Sequence, residues 1–206
     1  MMAGQSTRKS LRENALLINI VLIAVGLSIA YGVYVGVQFY YRVSSPLFVV
    51  ISGSMVLNLN IGDVVVIEGV GRQFVQILTF SVGVEGLDPS TLRASSSIPA
   101  QDGDVIVFNR EGQDTPIVHR IVEKYQQGSS WFFRTKGDAN GAPDPSPVRA
   151  DHIIGKVVGS IPFIGYVSLW LRSPLGIALI AVAIVVLLVL EFMRTPGGSA
   201  AGRQED

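Results

Sequence analysis

Hydrophobic and polar positions divide the chain into three stretches. From about Leu16 to Tyr41 the sequence runs LLINIVLIAVGLSIAYGVYVGVQFYY without a charge. A bilayer core takes about 20 helical residues, so this run predicts a transmembrane helix over 16–41. Its end is rich in tyrosine (Tyr31, Tyr34, Tyr40, Tyr41), as suits a helix leaving hydrocarbon for headgroups. A cleavable signal peptide has a shorter apolar core, so the run reads as an uncleaved anchor. A second run beginning SPLGIALIAVAIVVLLVL is uncharged until Glu191, and Pro174 suits a first helical turn. It predicts another transmembrane helix over 173–193. Between the two, the pattern shifts to short Val-, Ile- and Phe-rich runs bounded by Gly, Pro, Asp and Ser. Strands are expected near 46–52, 62–70, 72–82, 102–109, 116–125, 130–136 and 151–161. Residues 84–100 fit neither period, and 136–148 (KGDANGAPDPSPV) is too dense in turn formers for a strand interior. The expectation is a mainly β domain over 42–172 between two membrane helices.

Basic residues orient this arrangement. Arg8, Lys9 and Arg12 precede the first span and only Arg42 closely follows it; Arg194 and Arg203 follow the second, against Arg172 before it. The positive-inside rule places the tails, 1–15 and 194–206, in the cytoplasm and the β domain on the other side of a cell membrane. Composition agrees. Charged residues are 16% and mean hydropathy is +0.44, which leans toward membrane. The 16 basic and 16 acidic residues balance, so no nucleic-acid partner is indicated. Cysteine is absent, which removes disulfides, thiolate metal sites and a cysteine nucleophile.

Two histidines remain, His119 and His152. Alternation puts His119 on one strand face with Ile117 and Ile121, where a half-buried structural histidine is the ordinary reading. His152, at an expected strand start, carries less functional weight. Two separated histidines make a thin ligand set, so neither metal nor other cofactor is expected. In ISGSMVL, Ser54 follows Gly53, which permits close backbone approach. Serine and glycine together are ordinary turn chemistry, but a serine nucleophile needs a base, an orienting acid and oxyanion donors. His119, with Asp138 or Asp144 from the turn-rich loop, supplies such a set. Lys136 is a weaker alternative base, since beside Asp138 it reads as a solvated structural charge.

Taken in order, SGSM (52–55) after an anchor, GDVVVI, VHRIV (118–122), KGDAN with a second Asp six positions on, and IIGKVVGSIPFIG resemble type I signal peptidases over roughly 44–167. Histidine at the position of VHR, where the bacterial enzymes carry lysine, resembles the archaeal and endoplasmic-reticulum subfamily. The second span favours an archaeal member. The resemblance implies a membrane-bound serine endopeptidase that removes signal peptides from preproteins at the outer membrane surface, after small residues at −3 and −1. Carried over by position, Ser54 matches the nucleophile and His119 the base. Asp144 matches the third member and Asp138 a supporting aspartate, and Ser52 with the Ser54 amide match the oxyanion hole. Preproteins, the bilayer and the protein-export channel are the implied partners. Two departures stand out: Leu57 occupies the family's usual proline, and Ala139 its first loop asparagine. A non-catalytic peptide-binding or scaffold relative is the alternative. Residues 70–100 are longer than two strands require and read as an insertion.

Overall fold

A computed structural model describes residues 3–96 and 101–194. Helix α1 runs Ala3–Tyr41, and its segment Leu17–Tyr41 is long and apolar enough to cross a membrane. The strands are β1 (Leu47–Val49), β2 (Val64–Gly69), β3 (Arg72–Ile77), β4 (Phe80–Glu85), β5 (Val105–Phe108), β6 (Ile117–Gln127), β7 (Ser130–Lys136), β8 (Val148–Arg149) and β9 (Ile153–Ile161). Helices α2 (Ile164–Arg172) and α3 (Pro174–Arg194) follow. Seven strands form one antiparallel sheet in the order β1-β2-β9-β5-β6-β7-β8, and β3 and β4 form a separate two-stranded ribbon.

Strand β5 shows why the sheet is stable. Its four residues read Val-Ile-Val-Phe, and Ile106, Val107 and Phe108 are fully buried. Successive side chains point to opposite faces. Ile106 and Phe108 join Leu92, Ile121, Phe133 and Ile153 in one core, while Val107 joins Val43, Met55, Val65 and Ile67 in a second. The sheet therefore carries apolar packing on both faces.

Three sequence expectations change. Residues 72–82 were expected as one strand but form a hairpin, because Leu78 takes a positive φ of 52° and the chain reverses there. The expected strand over 46–52 shrinks to three residues, since the backbone turns at Val50 to bond Asp63 and Gly62. The C-terminal run is preceded by α2, a helix that the sequence reading placed inside the β domain without recognising it. Helices α2 and α3 meet at 76°, and among the described residues Ile164–Arg172 and Pro174–Leu190 together match the length and apolarity of a span. Helix α2 is held to the start of β2: Gly165 N–H donates to Gly62 O at 2.8 Å, and a Cβ at Gly165 would lie 2.6 Å from that oxygen.

Candidate active site

Ser54 sits in a short helical turn, Gly53–Met55, directly after the β1 segment. The next side chain, Met55, is 1% exposed in the second core and fixes the turn. The turn is then bonded to the 136–148 loop: Ala139 N–H donates to Ser54 O at 2.9 Å. Gly137 makes this approach possible, since a Cβ there would stand 2.7 Å from Ser54 O. Ser54 Oγ lies 3.4 Å from Ser52 Oγ; Ser52 is exposed and Ser54 half-buried.

Leu57 adopts φ 93°, a value that a proline ring forbids. Val56 at φ −53°, ψ 143° precedes it, and Asn58 N–H donates to Met55 O at 3.2 Å. This is a type II turn with leucine where glycine is usual. The departure from the family's proline is thus a different turn, and its product is the placement of Asn58.

His119 is buried on β6, beside β5. Its Nδ1 lies 2.7 Å from Asp144 Oδ2. Thr135 Oγ1 donates to that same oxygen at 2.6 Å, and Arg110 Nη2 stands 3.2 Å away as an ion-pair contact without a directed hydrogen bond. Arg110 also lies over the Phe108 ring, 5.6 Å from its centroid. Burial pushes the Asp144 carboxyl upward, but bonds from Thr135 and His119 and the Arg110 charge outweigh it and hold the group below its ordinary value.

Asp138 faces different partners. Arg120 grips it with two bonds, Nε to Oδ1 at 2.9 Å and Nη2 to Oδ2 at 2.7 Å, and Asn58 Nδ2 adds a third at 2.7 Å. The remaining Arg120 nitrogen donates to the carbonyls of Gln101 and Gly103. Burial again raises this carboxyl, and the Arg120 and Asn58 bonds bring it below its ordinary value. Of the two candidate acids, Asp144 meets His119 and Asp138 does not. Lys136 Nζ turns to the Gly137 carbonyl. His152 closes a short helical turn, Ala150–His152, instead of starting a strand.

Ser52, Ser54, His119, Asn140 and Asp144 line one cavity of about 420 Å³ together with Val49–Ile51 and Thr115–Val118. Arg110, Thr135, Arg120 and Asn58 carry no signal in the sequence that marks them as site residues. Alternation does place Arg120 opposite His119, but nothing in the chain pairs it with Asp138.

A serine, an imidazole and a buried carboxylate gathered at one cleft on an antiparallel sheet equip a protein for serine-hydrolase chemistry. Three fungal relatives make the kinship specific. The signal peptidase complex catalytic subunit SEC11 of Leptosphaeria maculans is 32% identical over 181 residues, covering 84% of this chain and 88% of that protein. The Tuber melanosporum protein of that name is 30% identical over 196 residues, 91% and 96% of the two chains, and the Schizosaccharomyces pombe one is 30% identical over 167 residues, 77% and 82%. The chain belongs to the type I signal peptidase family of serine peptidases, in the subfamily of the endoplasmic-reticulum enzymes. No family model matches it. These relatives are fungal and give no support to an archaeal placement within the subfamily.

Proposed function

We propose that this chain removes signal peptides from preproteins, with Ser54 as nucleophile, His119 as general base and Asp144 as the acid that orients it. The observation that carries this reading is the buried 2.7 Å contact between His119 Nδ1 and Asp144, opening on the cleft that Ser54 also lines. With Nδ1 committed to the carboxylate, Nε2 is the nitrogen left to take the Ser54 proton. Oγ then attacks the scissile carbonyl, and the oxyanion forms against Ser52 Oγ and the Ser54 amide. His119 returns the proton to the leaving amine, and water hydrolyses the acyl-enzyme. Asp138 supports the loop through Arg120 and stays outside the proton path.

The substrate enters as an extended strand. β1 is the edge of the sheet, and Val49–Ile51 and Thr115–Val118 line the cleft, so backbone pairing along them gives affinity while shallow apolar pockets admit small residues at −3 and −1. Two membrane spans, α1 within 16–41 and α3 within 173–193, leave both termini cytoplasmic and hold the 42–172 domain against the outer surface of its membrane. The apolar composition of α3 supports its spanning role. Because the relatives are named as subunits of a signal peptidase complex, partner subunits are part of this reading, beside the export channel.

The test is cleavage of a preprotein by the full chain in detergent, with the cut mapped by mass spectrometry. Ser54→Ala and His119→Ala are each expected to lose at least ~10⁴-fold in turnover, since such residues act as a unit. Near wild-type turnover in Ser54→Ala overturns the proposal and leaves the scaffold reading.

A further inference from the structure

The β3–β4 ribbon lies outside the sheet and contributes nothing to the cleft. Its charges are confined to its base, where Arg72 is the register partner of Glu85. From Gln73 to Val84 no residue is charged. The far end is apolar and uncovered: Leu78 is 79% exposed and Phe80 72%, and Phe74, opposite Gly83 nearer the base, is also exposed. A protein surface in water has little reason to expose two large apolar side chains at a hairpin tip.

The ribbon's placement says what it meets. Strand β3 packs back along α1, and Val75 within it is fully buried. At the tip, Leu78 N–H donates to Tyr31 Oη at 2.8 Å. Tyr31 lies ten residues before the end of α1 at Tyr41, about 15 Å back along the helix axis. The uncharged tip therefore stands level with the apolar segment of the anchor, while the charged base stands level with its polar end.

We propose that the β3–β4 ribbon is a lipid-facing prong whose tip, Leu78 and Phe80, enters the membrane interface beside α1 and sets the height of the catalytic cleft above the bilayer. Lipid is the occupant because the tip is tied to an apolar helix and because charge disappears along the ribbon in the same direction. The depth has a limit. A two-stranded ribbon has outer edges with unpaired backbone groups, which hydrocarbon does not tolerate. The strands stay among headgroups, where amide groups find water, and only the tip side chains reach the acyl chains. This inference rests on α1 being a membrane span.

The absence of cysteine makes the test direct. Full-length variants Leu78→Cys, Phe80→Cys, Val25→Cys in α1 and Ser129→Cys in the β6–β7 turn each carry one environment-sensitive fluorophore in phosphatidylcholine vesicles. Doxyl-labelled lipid probes contact with acyl chains, and iodide probes contact with water. Doxyl lipid is expected to quench the Leu78 and Phe80 probes about two-fold or more beyond the Ser129 probe, with the iodide order reversed. Iodide quenching of both tip probes at the Ser129 level overturns the proposal. Shielding of both from iodide and doxyl lipid overturns it too, because protein then covers the tip. Loss of doxyl quenching at Val25 overturns the anchor reading itself.

Discussion

Asp138 and Asp144 lie on one loop, have side chains 7% and 8% exposed, and both have carboxyls held below their ordinary value. They differ in the partner. Asp138 faces a guanidinium that keeps its proton at any accessible pH. Asp144 faces an imidazole, which can gain and lose one. Adjacent β6 residues create the difference: His119 and Arg120 point to opposite faces of the strand, and each takes one aspartate. Two carboxylates of equal burial and charge thus differ in what they can do, and the proposed catalytic role falls to the one whose partner can exchange protons. The Asp138 clamp serves fold, and it reaches across to the Ser54 turn through Asn58.

The comparison breaks first, if it breaks, on Asp144→Asn. Turnover is expected to fall by roughly 10³–10⁴-fold, because the amide no longer holds the imidazole in its working tautomer. Its stability should fall less than that of Asp138→Asn, because the cation left behind, Arg110, is more exposed than Arg120. Asp138→Asn should behave oppositely. Stability measured by denaturant falls by on the order of 3 kcal/mol, since Arg120 is left buried without its counter-charge. Turnover of the folded fraction should fall far less than in Asp144→Asn. Equal turnover losses in the two variants would erase the distinction.

Acid sharpens the contrast next. Both carboxyls are depressed below the ordinary 3.8. Their stabilisation is therefore complete above that value and is lost as pH falls through the folded pKa. Thermal melts should be insensitive to these groups at neutral pH and decline below about pH 4, with a shallower decline in Asp138→Asn. An unchanged acid slope in that variant would show that Asp138 does not contribute to it.

The smallest effect concerns the turn that delivers Asn58. Leu57→Gly relieves the positive φ and loses little packing, because Leu57 is 88% exposed. Set against glycine's extra chain entropy, the net gain is about 0.5 kcal/mol. Leu57→Pro, which restores the family's residue, should instead destabilise by more than about 1 kcal/mol, because the native φ is incompatible with the ring. A stabilised Leu57→Pro would mean the turn refolds around the proline.

Much of this was legible without coordinates. An uncharged run of spanning length announces the long apolar helix Leu17–Tyr41, and Val-Ile-Val-Phe between turn formers announces a buried strand. Ser54, His119 and both aspartates were visible through their order along the chain. The hairpin was not, because RQFVQILTFSV holds no glycine or proline to mark its reversal at Leu78. Helix α2 escaped for a similar reason: IGYVSLWLR is short and follows directly on strand β9.

Arg110 and Thr135 are a different kind of omission, since their roles exist only as contacts with Asp144. Sequence alone determined most of the elements, the charge asymmetry and the chemical inventory, since these follow from local periodicity and residue type. Tertiary structure decided which aspartate meets His119, 25 residues away, and which meets Asn58, 80 residues away. Those choices depend on strand register and on which face each side chain takes, and a shift of one residue in β6 would exchange the partners.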